Sequence, residues 1–548
     1  MLSLTVHGCV GDRGEGRIGG NQILVEDSGT RFFFDFGIPY AQRTLYFEEF
    51  LNPRPGAGLL DPLEMGLLPP LRGIYRPDLE PPGNDLWPRL SSRPGFRELT
   101  VDGVLLSHAH MDHAGYISFL APEIPVFATP ETAFILKTME DTDKGSIGFE
   151  REVCYIRTRQ DKDGYLTSAR GVRRQRPFAF LSAGPLSAQA LEYWNTSDLV
   201  KKNAMQTTAP LEDVGHVGGL DLAYSPVDHS IPGACSLAVQ TSLGWLAYTG
   251  DLRAHGARAA TTAAFVQRAS QLRPYLLLGE GSRAGQEGSV CEEEVFDNCL
   301  AATRAAKGLV IADFAPRNVE RLLAFYEVAR RTGRNLAVLP KDAHLLEKLS
   351  LVSSYVPPLS SLPRLLIFQE LKGTMSEWEK ALLQTYGERV ATQAQVRACP
   401  CDFILCFSFW DINNLIDLAP NGGVYIYSSS EAYSEEQEMD FRRLLKWLEH
   451  FGMAFAGDEN LHRRFQDQGQ CPKECPFCSA PKGTVRLSPG FHASGHASGV
   501  ELVEMIKAIR PKVFVPIHTE KPDYFREALK GSDIEVRLPV GGTPMVFG

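Results

Sequence analysis

The chain has 548 residues, of which 44% are hydrophobic and 22% charged, and its formal net charge is −10. This composition is typical of a soluble globular protein with roughly two to four domains, and no apolar run is long enough to span a bilayer. The negative charge argues against indiscriminate binding of polyanions but is compatible with a local basic channel. Because the N-terminus reaches glycine and charge within a few residues, it is not typical of a signal peptide, and we expect a cytoplasmic protein with no membrane partner.

Short apolar runs that end at polar residues recur along the chain. They are RFFFDFG with Asp35, GVLLSHAH with His108, LAYSPVDHS with His229, WLAYTGD with Asp251, YLLLGEG with Glu280 and VFVPIHT with His518. Such runs, bounded by glycine or proline, predict strands buried on both faces. Helical periodicity in 319–331, 435–451 and 500–510 predicts helices between strands, and therefore an α/β fold. In layered α/β folds, residues just beyond strand ends form the functional sites.

Two segments break this regular pattern. Residues 46–100 are rich in proline and glycine, and residues 151–205 mix basic, aromatic and glycine-containing stretches. We interpret both as insertions on a core, which either line a cleft or are ordinary surface loops. Two basic stretches, 170–176 and 317–334, are candidates for a local basic channel; solvated faces are the alternative.

The segment SHAHMDHAG, residues 107–115, concentrates metal-competent side chains within six positions. Three imidazoles can hold one zinc ion tetrahedrally, and carboxylates suit a second ion and can bridge the pair. We assign His108, His110 and His229 to one ion, Asp112, His113 and His518 to a second, and Asp251 to both. A lone histidine is more often a core residue, but this cluster has no apolar partner that would explain it. Two such ions can clamp both oxygens of an in-line phosphoryl displacement.

The order of these motifs resembles the metallo-β-lactamase superfamily, and GGNQILVEDSGTRFFFDFG is similar to its opening hairpin and first acidic motif. In that family the acidic residue, here Asp35, orients the ligand loop. Further along, HASGHAS (492–498) and PKVFVPIHTEKP (511–522) resemble the β-CASP nuclease branch, and within it ribonuclease J and its archaeal relatives.

The resemblance implies an αββα metallo-β-lactamase sandwich with an inserted α/β domain, the β-CASP domain. We expect the first part of the lactamase domain at 1–290, with the insertions near 46–100 and 151–205, the β-CASP domain at 291–482, and the rest of the lactamase domain at 483–548. Because the chain ends about thirty residues after His518, we expect it to lack the extra C-terminal domain of bacterial ribonuclease J. A homodimer is one option for its assembly.

The resemblance also implies roles for residues outside the metal cluster. His496 would donate a proton to the leaving 3′ oxygen or hold the scissile phosphate, steered by Glu280, and Asp112 would be essential for catalysis. The residues expected to contact RNA phosphates are His492, Ser494 and Gly495, together with the serine turn Ser428, Ser429 and Ser430. Phe491, Tyr433 and Phe409 are candidate platforms for base stacking, although core packing is the more common role of such aromatics.

These implications define an expected function. The chain would be a zinc-dependent ribonuclease with two Zn²⁺, or alternatively Mn²⁺, that degrades single-stranded RNA with low sequence specificity, 5′→3′ and also internally. One alternative is a DNA exonuclease or repair nuclease of the same branch. Others are a small-molecule hydrolase of the lactamase type and a non-catalytic RNA-binding scaffold.

A separate cysteine cluster, CPKECPFC, contains Cys471, Cys475 and Cys478. Three thiolates need a fourth ligand to hold a structural zinc ion. His462 is close in sequence, and Cys399 or Cys401 could also fold back to supply it. We therefore predict a structural zinc site here, with free thiols as the alternative.

Overall fold

The computed structural model describes residues 1–48, 50–83, 85–142, 152–197, 205–315, 317–429, 435–457 and 490–548, with backbone alone at 170–172 and 435–438. These residues form two compact units. Unit 1 comprises Met1–Ala254, Arg258–Gly288 and Gly495–Gly548, and unit 2 comprises His255–Ala257 and Ser289–Ser494. Unit 2 is thus an insertion in the sequence of unit 1.

The strands and helices follow one another in alternating runs. The strands are β1 (Leu2–Val10), β2 (Gly16–Asp27), β3 (Thr30–Phe36), β4 (Leu71–Arg72), β5 (Arg97–Glu98), β6 (Gly103–Leu105), β7 (Val126–Ala128), β8 (Tyr155–Lys162), β9 (Tyr165–Gln175), β10 (Phe178–Phe180), β11 (Met205–Gln206), β12 (His216–Val217), β13 (Leu220–Pro226), β14 (Cys235–Thr241), β15 (Gly244–Tyr248), β16 (Leu276–Glu280), β17 (Val310–Asp313), β18 (Asn335–Val338), β19 (Leu365–Gln369), β20 (Val390–Thr392), β21 (Phe403–Cys406), β22 (Val424–Tyr427), β23 (Ala454–Ala456), β24 (Val513–Ile517), β25 (Glu535–Val536) and β26 (Met545–Phe547). The helices are α1 (Tyr40–Arg43), α2 (Leu60–Glu64), α3 (Leu86–Leu90), α4 (Met111–Ala114), α5 (Pro130–Thr142), α6 (Ala188–Trp194), α7 (Ala259–Leu272), α8 (Glu292–Ala305), α9 (Val319–Thr332), α10 (Pro340–Leu349), α11 (Glu377–Thr385), α12 (Gln393–Ala398), α13 (Asn414–Leu418), α14 (Glu435–His450), α15 (Gly499–Ile509) and α16 (Pro522–Ala528).

Unit 1 is built on two seven-stranded sheets. Their strand orders are β10-β7-β6-β3-β2-β1-β26 and β12-β13-β14-β15-β16-β24-β25. In the first sheet β10, β7, β6 and β3 are parallel, and in the second β15, β16, β24 and β25 are parallel. Because the carboxyl ends of parallel strands lie at one edge of a sheet, the residues that follow β3 and β6 lie together, as do those that follow β15, β16 and β24.

The two sheets share one apolar core. Phe32 and Phe34 of β3 lie in it with Leu237 of β14 and Leu278 of β16. Phe33, between the first two, points to the opposite face because strand side chains alternate, and it too is fully buried. The continuous apolar run RFFFDF is therefore explained by a strand covered on both faces.

Helices cover the outer face of the second sheet. Phe265 of α7, Ile506 of α15 and Phe525 of α16 pack with Leu277 of β16 and Phe514 of β24. This arrangement gives unit 1 the layers expected from the sequence. The long basic hairpin of β8 and β9 belongs to a separate three-stranded sheet with β11.

Unit 2 contains a single sheet with the order β20-β19-β18-β21-β17-β22-β23, and every pairing in it is parallel. The apolar residues of β17, β18, β21 and β22 are buried on both faces, as the run VYIY predicts. The mixed α/β fold class is thereby confirmed. None of the helices in the described ranges has the length and apolar character needed to cross a membrane.

Candidate metal centre

The metal-competent side chains of unit 1 lie just beyond the carboxyl ends of its parallel strands. β6 ends at Leu105, and the loop that follows carries His108 and His110 into the short helix α4, which contains Asp112 and His113. Asp251 follows β15, and His518 is the residue after β24. The backbone of His518 has φ +52°, and that of Asp35 has φ +53°. Non-glycine residues rarely adopt this left-handed conformation, and such strain is concentrated at functional sites.

Close backbone approach explains two glycines beside this loop. A Cβ atom at Gly37 would lie 1.7 Å from the carbonyl oxygen of Asp112, and one at Gly495 would lie 3.0 Å from Cε1 of His229. A side chain at either position would displace a predicted ligand. Gly495, predicted to contact an RNA phosphate, lies against His229, whose Nδ1 is 2.6 Å from the carbonyl oxygen of Gly495.

The first group of ligand atoms consists of three imidazoles and one carboxylate. Nδ1 of His110 lies 3.1 Å from Nε2 of His108 and 3.2 Å from Nε2 of His229. Nε2 of His108 lies 3.7 Å from Oδ2 of Asp251. One ring nitrogen carries at most one proton, so His110 cannot hydrogen bond to both of its neighbours through Nδ1. A cation held between the rings accounts for the convergence of all three.

The second group consists of Asp112, His113 and His518. Oδ2 of Asp112 lies 3.7 Å from Nε2 of His113 and 3.9 Å from Nε2 of His518. Asp251 reaches this group as well, since its Oδ2 lies 3.1 Å from Nε2 of His113. Asp251 therefore stands between the two groups, where a bridging ligand would stand.

These residues fit a pair of zinc ions. The ligand atoms within each group all lie within 4.8 Å of one another, and tetrahedral Zn–N distances of about 2.1 Å imply spacings of about 3.4 Å between ligand atoms. Oδ1 of Asp251 is buried and has no hydrogen-bond partner among the described residues. Because buried polar atoms are almost always satisfied, this oxygen fits the role of a metal ligand.

The electrostatics of the two groups differ. Burial lowers the pKa of His108 and of His229 well below the ordinary value, which keeps these imidazoles neutral, as metal ligands must be. At His113 burial acts in the same direction, but the carboxylates of Asp251, Asp112 and Asp35 outweigh it and raise the pKa well above the ordinary value. In the second group, anionic oxygens thus favour positive charge at the place where a cation would bind.

The ring nitrogens that face away from the groups are held by other side chains. Nδ1 of His113 lies 2.7 Å from Oδ2 of Asp35, and Nδ1 of His518 lies 3.2 Å from Oδ1 of Asn21. Nδ1 of His108 lies 3.0 Å from Oγ of Ser107, which also donates to Asp35. Asp35 was predicted to orient the ligand loop, and it lies where it can do so. Asn21 and Ser107 were missed, because only their positions beside GGNQ and SHAH could have pointed to them.

His496 and Glu280 form a third arrangement beside Asp251. Nδ1 of His496 lies 3.1 and 3.2 Å from the two carboxylate oxygens of Glu280, and 3.9 Å from Oδ2 of Asp251. Glu280 also accepts hydrogen bonds from the backbone amides of Leu252 and Ser282. Burial alone would lower the pKa of His496, but the charge of Glu280 prevails and raises it to about 9. Cations bound beside Asp251 would reduce this value, because like charges disfavour the imidazolium.

The residues that follow His496 in the sequence fix its position. Ser498 caps α15: its hydroxyl accepts from the amide of Glu501, whose carboxylate accepts from the amide of Ser498. The amide of Ala497 donates to the carbonyl of Leu252. The residues on the C-terminal side of His496 are thereby fixed to the loop that carries Asp251.

The residues expected to contact RNA phosphates lie mostly in unit 2. Ser428 is buried, and its hydroxyl donates to the carbonyl of Phe491 over 2.6 Å. Nδ1 of His492 lies 3.4 Å from the carbonyl oxygen of Ser428, and the carbonyl of Ser494 accepts from His255. The hydroxyl of Ser429 lies 3.4 Å from Oδ1 of Asp313. In unit 2 the serine turn and the first residues of HASGHAS are thus bonded to each other.

Some expectations lie outside the described residues: Ser430, Tyr433, His462, Cys471, Cys475 and Cys478. Others are corrected by burial. Arg176 and Arg321, from the two candidate basic stretches, are buried and donate to backbone carbonyls, among them those of Leu120 and Phe491 respectively. They stabilise the fold and cannot line a basic channel. Phe491 is fully buried and so cannot stack on a base.

Comparison with known proteins adds three findings. Residues 490–539 match the family profile described as the Zn-dependent metallo-hydrolase RNA specificity domain. A solved protein of unknown function from Enterococcus faecalis V583 has a similar structure, with a TM-score of 0.64 and 22% identity over 100% of both chains. The metallo-beta-lactamase fold protein YhfI from Bacillus subtilis overlaps 53% of this chain and 75% of its own at a TM-score of 0.22 and 13% identity, which is too little to bear on the fold. No curated protein sequence matches the chain.

The matched segment contains both His496 and His518, and it supplies strands β24 and β25 of the second sheet. Its similarity to the RNA specificity domain of Zn-dependent metallo-hydrolases supports the resemblance to the metallo-β-lactamase superfamily and its β-CASP branch that the sequence motifs carry.

Proposed function

We propose that the protein is a zinc-dependent ribonuclease that hydrolyses phosphodiester bonds of single-stranded RNA, in the 5′→3′ direction and also internally. The observation that carries this proposal is the pair of ligand groups on either side of Asp251, which belongs to the first and lies 3.1 Å from His113 of the second, with the His496–Glu280 pair beside them. The match of residues 490–539 to an RNA specificity domain supports RNA as the substrate.

Two groups of residues would hold two zinc ions. His108, His110 and His229 would bind one, Asp112, His113 and His518 the other, and Asp251 both. Bound zinc supplies Lewis-acid stabilisation of the charge that develops on phosphate oxygens and lowers the pKa of water. Mn²⁺ accepts the same nitrogen and oxygen ligands and is the alternative ion.

His496 would act on the scissile phosphate or its leaving oxygen. The carboxylate of Glu280 would accept a hydrogen bond from Nδ1 of His496. Nε2 is then the ring nitrogen that can contact the substrate. An imidazolium whose pKa is raised by a carboxylate can hold a phosphate oxygen or give a proton to the departing 3′ oxygen. Glu280 does not touch substrate in this proposal; it fixes the tautomer and charge of His496.

The test is hydrolysis of end-labelled RNA that carries a 5′-triphosphate, a 5′-monophosphate or a 5′-hydroxyl. We expect release of mononucleotides from the monophosphate substrate by the wild type and loss of cleavage in Asp112→Ala. The matched control is Asp221→Ala, which removes an exposed carboxylate of the same unit outside the ligand groups. It should cleave like the wild type.

The same gel separates the alternatives. Equal cleavage by Asp112→Ala and the wild type would refute the metal assignment. Digestion of a 2′-deoxy substrate with no digestion of RNA would favour the DNA nuclease. Cleavage of neither nucleic acid by zinc-loaded protein would reject the nuclease proposal and favour the small-molecule hydrolase or the scaffold.

A further inference from the structure

The ligands of the second group are joined to each other by a buried chain of hydrogen bonds that runs behind the site. Its five members are His113, Asp35, Tyr248, Asn21 and His518. The hydroxyl of Tyr248 donates to Oδ2 of Asp35 over 2.5 Å and accepts from Nδ2 of Asn21 over 2.9 Å. Asn21, Asp35, Tyr248 and His113 are fully buried, and His518 is 1% exposed.

The direction of every hydrogen bond in this chain follows from its central carboxylate. An ionised Asp35 only accepts, so Nδ1 of His113 and the hydroxyl of Tyr248 must both donate to it. The oxygen of Tyr248 then accepts from the amide nitrogen of Asn21. The amide oxygen of Asn21 is left to face Nδ1 of His518, which must carry the proton.

The consequence is the same for both histidines. With a proton fixed on Nδ1, the lone pair of each imidazole is on Nε2, the nitrogen that faces Oδ2 of Asp112. A neutral imidazole binds a metal ion only through the nitrogen without a proton, and a hydrogen bond to the other nitrogen selects the tautomer and the orientation of the ring. The carboxylate of Asp35 thus determines the tautomers of two histidine ligands that are about 400 residues apart in the sequence.

We infer that Asn21 and Tyr248 are positioning residues that tune the affinity of the second group for its metal ion, with the hydroxyl of Tyr248 coupling His518 to Asp35. This rests on the metal assignment within the proposed function. Neither side chain contacts the imidazoles of the first group: His229 is held by the carbonyl of Gly495, and His108 by Ser107, which bonds to Asp35 independently of Tyr248. Loss of the Tyr248 hydroxyl or of the Asn21 amide should therefore lower the affinity for the ion of the second group and leave the affinity for the other ion unchanged.

The test is a competitive titration of the full chain with zinc in the presence of a colorimetric chelator. In Tyr248→Phe and in Asn21→Leu, we expect the affinity for one zinc ion to fall about 10- to 100-fold, with the other unchanged. The matched control is Tyr155→Phe, which also removes a buried hydroxyl, there bonded to the carbonyl of Trp194. It should bind zinc like the wild type. Zinc on the cysteine cluster would be common to all variants.

The double variant tests the coupling directly. Because Asn21 and Tyr248 share one hydrogen bond, Tyr248→Phe/Asn21→Leu should lose less affinity than the sum of the two single losses. Asn21→Asp keeps an acceptor for His518 but loses the donor to Tyr248, and it should recover part of the affinity lost in Asn21→Leu. It also supplies a second variant if Asn21→Leu does not fold.

Several outcomes would overturn the inference: wild-type affinity for both ions in Tyr248→Phe, equal weakening of both ions, additive losses in the double variant, or fewer than two zinc ions on the wild type. None of these readouts requires RNA cleavage. A wild type that fails to cleave RNA while the variants lose one zinc ion as described would reject the ribonuclease and leave the positioning roles in place.

Discussion

Units 1 and 2 both place acidic side chains at the carboxyl ends of buried parallel strands, but with different results. In unit 1, Asp251 lies among imidazoles and keeps one buried oxygen without a hydrogen-bond partner in the described chain. In unit 2, Asp313 accepts from the hydroxyl of Tyr425 over 2.7 Å, and Asp411 pairs with Lys341 at 3.1 Å. Among the described residues, every group of three or more converging metal-competent atoms belongs to unit 1.

This difference shows that the strand end places a carboxylate, whereas the side chains around that carboxylate determine its charge. Burial raises the pKa of Asp313 and of Asp342 to about 7, so these two acids of unit 2 are partly protonated near neutral pH. The histidines that face Asp251 instead lower its pKa well below the ordinary value, against the effect of burial. A permanently ionised carboxylate between imidazoles can hold a cation, and a half-protonated one beside a tyrosine cannot do so as well.

The largest expected effect comes from the shared ligand of unit 1. Asp251→Ala removes the one carboxylate common to both groups, so we expect RNA cleavage to fall by about a thousandfold or more and zinc binding to weaken at both positions. Single-turnover cleavage and zinc titration measure the two effects. If Asp251→Ala cleaved at the rate of Asp221→Ala, the contrast between the units would have no catalytic meaning.

His496 should separate chemistry from metal binding. We expect His496→Ala to lower cleavage about 100- to 10,000-fold while it binds zinc like the wild type, because in the proposed function His496 acts on the substrate and does not bind metal. Glu280→Gln keeps the shape of the partner of Nδ1 but removes its charge. Its cleavage rate should lie between those of the wild type and His496→Ala. Loss of a zinc ion in His496→Ala would instead assign His496 to the metal site, as a ligand with Asp251 and Glu280.

Removal of the ions held by the groups that share Asp251 should destabilise unit 1. Ligand binding stabilises a folded state by RT ln(1 + [L]/Kd), about 4 kcal/mol at a thousandfold excess over Kd. We therefore expect a chelator to lower the thermal transition of unit 1 in calorimetry, and added zinc to restore it. A chelator that left the transition of unit 1 unchanged would contradict the assignment of metal groups to this unit.

The smallest effect concerns pH and unit 2. In the folded state Asp342 keeps its proton up to about pH 7, whereas in the unfolded chain its pKa is about 4. The folded state binds more protons between these values, so stability falls as pH rises from about 4 to 7. We expect Asp342→Asn to remove part of this loss, on the order of 1–3 kcal/mol at pH 8.

Thermal unfolding of the wild type and Asp342→Asn at pH 5 and pH 8 measures this difference. Asp342→Asn should be more stable than the wild type at pH 8 and about equally stable at pH 5. The reverse order would mean that Asp342 is ionised and paired in the folded protein, as Asp251 is, and the contrast between the units would fail at this residue.

The sequence allowed the ligands to be predicted but not the chain of hydrogen bonds behind them. Histidine and aspartate at strand ends are visible because their residue types are costly to bury without a shared ion, so SHAHMDHAG and PIHT predict a site directly. Asn21 and Tyr248 lie in strands β2 and β15, where an asparagine or tyrosine is ordinary. Their role depends on contacts across more than 200 residues, which no local pattern contains.

The buried arginines are a second feature that could not be predicted from the sequence. RGVRRQR predicts a basic surface, yet Arg176 donates to the carbonyls of Val153, Ala121 and Leu120. A long side chain that satisfies the carbonyls of a loop is indistinguishable in sequence from one that faces solvent. The apolar runs and helical periodicities were reliable because each records burial of its own residues, whereas the fate of a lone charge depends on elements distant in sequence.

The central claim is that the groups on Asp251 hold two metal ions. Diffraction from crystals of zinc-loaded protein at the zinc absorption edge tests it most directly. The structure predicts two anomalous peaks about 3.5–4 Å apart, one among His108, His110 and His229 and the other among Asp112, His113 and His518, with Asp251 beside both. A single peak, or none, at these side chains would contradict the account.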